Sequence, residues 1–117
     1  MTVEAEIRRL VAPMVGDRVY PDEAPADEPL PYVTYSQIGG RPFTFLAGLP
    51  DKRNGRFQFN VWAQTRDEAS LLMRAIADAL ELDDVLQATP LGELAATVEP
   101  ETKLRGATQD FSIWFSR

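Results

Sequence analysis

The fold is decided by two adjoining stretches of this 117-residue sequence, GRFQFNVWA at residues 55–63 and QTRDEAS at residues 64–70. In the first stretch apolar side chains recur at every second position, which is typical of a β-strand with one buried face. In the second, Thr65 and Glu68 have the spacing of a capping box, in which the Thr65 hydroxyl accepts the Glu68 amide and the Glu68 carboxylate returns to the Thr65 amide. The sequence therefore predicts a half-buried strand that leads directly into a helix.

Further elements are predicted on both sides of this unit. Apolar residues at helical spacing predict a first helix over residues 2–13, with Thr2 as its N-cap, and a second over residues 65–81. Alternating or β-branched stretches predict the other strands, at residues 32–38, 94–99 and 104–115, with a brief strand at Val19 and Tyr20. Residues 82–93 are ambiguous and are expected to be a linker with a short turn or strand.

Together these elements predict one α+β domain over residues 1–117. Each helix has a single apolar stripe and each of the best strands has one apolar face, so the economical arrangement is a two-layer sandwich with both helices on one face of the sheet. The sheet is expected to be mainly antiparallel, with about four to five strands. Its other face then presents polar and aromatic side chains outward: Gln58, Asn60, Trp62, Ser112 and Trp114.

The inventory of side chains excludes several chemistries. The sequence has no cysteine and no histidine, which excludes disulfides, thiolate or imidazole metal sites and histidine-based catalysis. The 12 basic and 18 acidic side chains give a net charge of −6, which argues against nucleic-acid binding through phosphate contacts. Apolar stretches fall well short of a membrane span, so we expect no membrane partner and a cytoplasmic location.

Some polar residues could suggest a reactive site, but each has a simpler interpretation. Tyr35, Asp51 and Lys52 would supply a phenol, an acid and a base, yet nothing in their spacing requires them to meet. The acidic cluster at residues 81–84 lacks the loop of a calcium site, so no metal is predicted. The sequence has no glycine-rich phosphate-binding motif, and no cofactor is predicted. We therefore expect that the protein is not an enzyme.

Two connections between the predicted elements carry opposite charge. Residues 21–31 hold four prolines, four acidic residues and no basic one. Residues 39–56 hold four basic residues against Asp51 alone. Within that second connection, residues 39–54 are too long for a tight hairpin, and loops of this length in small domains are usually functional or disordered.

The order and spacing of four motifs resemble those of the tail-completion proteins of long-tailed bacteriophages. They are RVYP at residues 18–21, LPYVTY at residues 30–35, FQFNVWA at residues 57–63 and DFSIWF at residues 110–115. The resemblance covers nearly the whole chain. Each motif alone is only a good strand, so the resemblance depends on their order.

This resemblance implies a structural protein of a phage, prophage or gene transfer agent, with an α+β fold and no enzymatic activity. Such proteins join head to tail or terminate the tail: they cap the tail tube as a ring, usually of six copies, and offer a surface to the head-side connector. The implied partners are the protein itself, the tail tube protein and the connector protein. The implied location is the bacterial cytoplasm during assembly and the head-tail junction of the virion.

The residues of the interface are inferred from the sequence itself. We expect the 39–54 loop to contact a partner, either the neighbouring copy or the tail tube, through Arg41, Phe43, Phe45, Leu46, Leu49, Lys52 and Arg53. In a ring, residues 21–31 would provide the complementary acidic patch. Two interpretations stay open for Trp62 and Trp114: they form a partner face, or residues 82–93 cover one or both of them.

A second class of function fits the same predicted elements. A small α+β ligand-binding or regulatory module would also have two helices on one sheet face, and it would bind a small molecule between helix and sheet. Assembly discriminates the two classes, because a joining protein forms rings or binds purified tails.

Overall fold

The computed structural model describes residues 2–42 and 51–116. In this part of the chain two α-helices and six strands follow one another, and a short 3₁₀ helix, Ala12–Met14, extends the first helix. The elements are α1 (Val3–Val11), β1 (Val19–Pro21), β2 (Tyr32–Gln37), β3 (Lys52–Ala63), α2 (Arg66–Leu82), β4 (Thr89–Pro90), β5 (Ala95–Val98) and β6 (Arg105–Ser116).

The sheet has the strand order β1-β2-β3-β6, and β4 and β5 both pair with the outer edge of β6. β1 runs parallel to β2, and the other pairs are antiparallel. β3 and β6 pair along their whole length, from Lys52 opposite Ser116 to Ala63 opposite Arg105. The α+β class is therefore confirmed. The strand number is one larger than predicted because β4, a strand of two residues, lies in the segment 82–93 that the sequence left ambiguous.

The core lies between the sheet and the two helices. Phe59 on β3 is fully buried, stacks on Tyr35 of β2 and meets Phe111 of β6 edge to face, with ring centroids 5.7 Å apart in both pairs. The helices cover these rings with Ile7 and Val11 of α1 and with Met73, Ile76 and Leu80 of α2, all fully buried. The prediction that residues 55–63 form a strand with one buried face is confirmed, since Phe57, Phe59 and Val61 all point into this core.

Both helices begin at the predicted caps. Thr2 Oγ1 accepts a hydrogen bond from Ala5 N at 3.1 Å, and Thr65 Oγ1 accepts one from Glu68 N at 3.1 Å. The second hydrogen bond of the predicted capping box, from the Thr65 amide to the Glu68 carboxylate, is wrong in its donor. The Glu68 carboxylate accepts from Gln64 N at 3.3 Å instead of from the Thr65 amide.

Asp83, just after α2, fastens the end of that helix to α1. Its Oδ1 accepts from Arg9 Nη2 at 2.9 Å, and its Oδ2 accepts from Leu86 N at 3.1 Å. Arg9 also pairs with Glu6 at 2.8 Å. Partial burial of Asp83 opposes its ionisation, but the hydrogen bonds from Arg9 and Leu86 outweigh that effect, so the pKa of Asp83 is lowered.

The Asp83→Asn variant is expected to be less stable than the wild type by about 0.5–1 kcal/mol at pH 7. A carboxylate whose pKa is lower in the folded state stabilises the fold above its unfolded pKa, and this contribution is lost as the pH falls through the folded value. Urea unfolding at pH 7 and at pH 2.5 measures the difference, which should be smaller at the lower pH. The exposed neighbour offers a control, Asp84→Asn, for which little change is expected. A difference for Asp83→Asn that is as large at pH 2.5 as at pH 7 would contradict the assignment.

Candidate partner interface

Within residues 2–42 and 51–116, no helix covers the sheet face opposite α1 and α2, which we call the open face, and a polar network occupies its middle. Arg56 on β3 bonds Asp110 on β6, with Nη2 2.7 Å and Nε 3.1 Å from Asp110 Oδ2. Gln58 Nε2 donates to Asp110 Oδ1 at 3.2 Å. Because the side chains of a strand alternate between faces, the same register that buries the phenylalanines turns these polar groups outward. The predicted outward set is confirmed on this face.

Trp62 lies at one end of the open face. It stands opposite Tyr32 of β2 and opposite Gly106 of β6. A Cβ atom at position 106 would lie 2.8 Å from Trp62 Cζ3 and 2.9 Å from Thr97 Cγ2. Glycine at this position therefore lets the indole lie close against β6, so that Trp62 is half-buried rather than projecting from the face.

A groove of about 680 Å³ opens beside Trp62. Trp62, Tyr32 and Asn60 line it, and the carboxylates around it belong to Asp22, Glu23 and Glu99, with no basic residue among its lining. Hydrogen bonds from the side chain and the backbone amide of Thr102 lower the pKa of Glu99, which keeps that carboxylate ionised. Burial, with Glu28 and Glu99 nearby, raises the pKa of Tyr32. We call this end of the face the acidic groove.

Trp114 lies at the opposite end of the same face, where it stands across from Asn54. Since Asn54 and Trp62 are eight positions apart on β3, the two tryptophans are about 26 Å apart along the sheet. A second groove, of about 350 Å³, is lined by Trp114, Arg41 and Arg56 among other residues. We call this end the basic groove.

The ambiguous segment 82–93 reaches only one of the two tryptophans. Trp114 N donates to Leu86 O at 2.8 Å, and Leu91 lines the basic groove beside Trp114. Trp62 instead borders the acidic groove, whose lining comes from residues outside that segment. Residues 82–93 therefore lie beside β6 at Trp114, whereas the groove beside Trp62 is lined by other segments.

The predicted basic loop is partly a strand. Residues 39–54 were expected to be a loop and the strand was expected to begin at residue 55, but β3 begins at Lys52, so Lys52 and Arg53 pair with Ser116 and Phe115 of β6. Residues 52–54 are all polar, so apolar and polar side chains do not alternate there and the sequence does not signal a strand. They form one because they pair with β6. Because side chains alternate, Lys52 shares the open face with Arg41, whereas Arg53 lies on the other face.

Exposed Arg41 stands next to the same strand, where its backbone N–H donates to Asn54 Oδ1 at 3.3 Å. Phe43, Phe45, Leu46 and Leu49, the apolar part of the predicted interface, lie outside the described residues. The basic end of the open face therefore consists of Arg41 and Lys52 together with the Arg56–Asp110 pair.

The structure does not bring together Tyr35 and Lys52, two of the residues considered above as a possible catalytic group. Tyr35 is buried on the helix side opposite Phe59, and burial raises its pKa to about 12. Lys52 is seven positions from Phe59 along β3, or about 23 Å away, and lies on the other face. Across residues 2–42 and 51–116, no group of three acidic side chains is placed to hold a metal. In the same part of the chain, no helix has the length and apolar character to span a membrane.

These features define a small α+β protein whose notable surface is an open sheet face with an acidic and a basic end. The family model for tail completion protein gp17 matches residues 3–116. The chain belongs to this family, which confirms the resemblance seen in the four motifs. Its role is therefore structural, in a phage tail, and membership implies contacts with other proteins of the tail or head. No curated protein matches the chain.

Proposed function

We propose that this protein, as one domain, closes the end of the phage tail tube as a ring of copies and joins the tail to the head-side connector, without any catalytic step. The observation that carries the proposal is the charge separation along the open face. The acidic groove beside Trp62 and the basic groove beside Trp114 lie at opposite ends of one surface. The proposal places assembly in the bacterial cytoplasm and the finished ring at the head-tail junction.

A ring requires two different patches on each subunit, because a cyclic assembly is built from head-to-tail contacts. The acidic groove, with Asp22 and Glu23, complements the basic end, with Arg41 and Lys52. Contact between these ends also offsets part of the repulsion between subunits of net charge −6. Trp62 and Trp114 then lie where an interface needs large half-buried aromatic anchors.

The other predicted contacts have separate places in this arrangement. Arg53 lies on the sheet face opposite the grooves, so it is available to a different partner from the one that meets Lys52. We assign Arg53 and the apolar side chains of residues 43–49 to the tail tube protein. The head-side connector then meets the surface of the ring that faces away from the tube.

Charge reversal tests the proposed ring contact. Arg41→Glu with Lys52→Glu makes the basic end acidic, and Asp22→Lys with Glu23→Lys does the converse in the acidic groove. Each pair should lower binding to purified tails that lack this protein by about tenfold, as expected for a few exposed ion pairs, and the protein that carries all four changes should recover binding. Cosedimentation with the tails measures the bound fraction.

The matched control changes the charge equally on the far side of the molecule. Arg66→Glu changes one exposed residue of α2 by two units of charge, and it is compared with the single variants Arg41→Glu and Lys52→Glu. This variant should bind tails as the wild type does. Equal loss in the control, or no recovery when all four interface charges are swapped, would overturn the ring contact.

A further inference from the structure

The two outer edges of the sheet differ in whether their backbone groups are already hydrogen-bonded. At the β1 edge, Val19 and Pro21 turn their backbone groups outward. Val19 N–H donates to Asp17 C=O at 3.0 Å, and Val19 C=O accepts from Arg8 Nη1 at 3.1 Å. Pro21 has no N–H, and its C=O accepts from Glu23 N at 2.8 Å. The β1 edge is therefore closed to any further strand.

The β5 edge is open. Glu99 N donates to Leu104 O at 2.9 Å, and pairs in an antiparallel ladder alternate between bonded and non-bonded. It follows that Ala96 and Val98 turn their N–H and C=O groups away from β6. Within residues 2–42 and 51–116, no hydrogen bond meets these four groups. All four residues of β5 are exposed and uncharged.

We propose that the β5 edge receives an extended segment of another virion protein, which adds a strand to the sheet. Backbone hydrogen bonds to Ala96 and Val98 supply the attachment, as in other cases of strand addition. Glu93 and Glu99 flank β5 on either side and are six positions apart. The incoming segment therefore has an uncharged middle and a Lys or Arg at each end. The inference rests on the proposed joining role only for the statement that the partner belongs to the virion.

A second copy of this chain is a poor occupant of the edge. Antiparallel pairing of β5 with β5 of a copy, with Ala96 opposite Ala96, places Glu93 opposite Glu99 of that copy, and like charges directly opposite one another are destabilising. Pairing with β1 of a copy is blocked, because the outward groups of Val19 and Pro21 are already used or absent. Since pairing with β5 or with β1 of a copy is unfavourable, the partner is a different protein.

The direct test uses the wild-type protein and a synthetic peptide, Lys-Thr-Val-Thr-Val-Thr-Lys, whose lysines match the spacing of Glu93 and Glu99. Amide hydrogen exchange is followed by NMR with and without the peptide. The amides of Ala96 and Val98 should slow by roughly tenfold, while those of Ala95 and Thr97, already bonded to β6, should not change. A peptide with glutamate at both ends should give no protection. Absence of protection by the lysine peptide, or equal protection by both, would overturn the inference.

The variant test uses Ala96→Pro, which removes the outward N–H and leaves the pairing of β5 with β6 intact. Ala96→Ser keeps that N–H and is the control. Ala96→Pro should abolish protection of Val98 by the peptide and reduce binding to purified tails, whereas Ala96→Ser should do neither. If the Ala96→Pro protein binds tails like the wild type, the β5 inference fails and the ring proposal stands. If the wild type is protected by the peptide yet never binds tails, the joining role fails and the open edge stands.

Discussion

Deletion of residues 43–49 is expected to leave a folded protein that has lost the ability to join tails. Residues 2–42 and 51–116 already form a buried core, chiefly from Phe57, Phe59 and Phe111 with the apolar stripes of α1 and α2. The β2–β3 ladder also remains anchored beside the deletion, since Ile38 N donates to Arg56 O and Arg56 N to Gly39 O, both at 2.7 Å. Thermal unfolding should therefore stay cooperative.

The expected loss of joining follows from the apolar side chains that the deletion removes. Phe43, Phe45, Leu46 and Leu49 are the large apolar residues of this segment, and truncation of a buried interface anchor typically costs about 2 kcal/mol or more. The loss of only two of these four anchors already corresponds to a decrease of about a thousandfold in affinity. The yield of infectious particles in a complementation assay measures the effect.

A length-matched control separates the side chains from the length of the connection. In it, residues 43–49 are replaced by seven residues of glycine and serine. This protein should fold and should fail to join tails, as the deletion does. If either protein supports normal yields of particles, the apolar residues 43–49 are not the contact with the partner.

The parts of the fold that depend on local periodicity could be predicted from the sequence. The β3–α2 unit follows from the alternation at residues 55–63 and the Thr65 cap, and both are confirmed. Alternation along β6 likewise placed Trp114 on the same face as Trp62. In each case one face of the element is buried, so burial and sequence period coincide.

Features set by pairing between distant strands could not be predicted. Lys52 and Arg53 extend β3 only because β6 lies opposite them, and nothing in their own composition signals a strand. Likewise, the separation of Trp62 from Trp114 depends on the register of β3 with β6. A shared face was predictable from the sequence, whereas the acidic and basic ends of that face required the register.

The open β5 edge could not be predicted from the sequence for the same physical reason. The strand at residues 94–99 was predicted, and β5 is found at Ala95–Val98. Which of its amides point outward depends on the hydrogen bond between Glu99 and Leu104, because bonded and non-bonded pairs alternate from there along β5. The pattern of side chains does not encode where this alternation starts. The closure of the β1 edge depends on Arg8, which comes from a different element. Edge availability is thus a property of the assembled sheet.

The Phe59→Ala variant is expected to lower the free energy of unfolding by about 3–5 kcal/mol, which is a large part of the roughly 5–15 kcal/mol available to a small protein. Phe59 is fully buried at the centre of the sheet and contacts the rings of Tyr35 and Phe111 on the two neighbouring strands. Its removal leaves a cavity that the rigid ladders on both sides cannot close. Urea unfolding followed by tryptophan fluorescence measures the loss.

Phe115→Ala is the matched control, because it removes the same ring from a different place. Phe115 lies near the end of β6, half-buried, with its ring 6.0 Å from that of Phe57. There the chain can relax into the space and water can enter it, so a loss of about 1–2 kcal/mol is expected. Equal losses for the two variants would show that the centre of the β2–β3–β6 sheet does not carry the stability assigned to it. A larger loss for Phe59→Ala supports the assignment of this stability to the packing of Tyr35, Phe59 and Phe111 at the centre of the sheet.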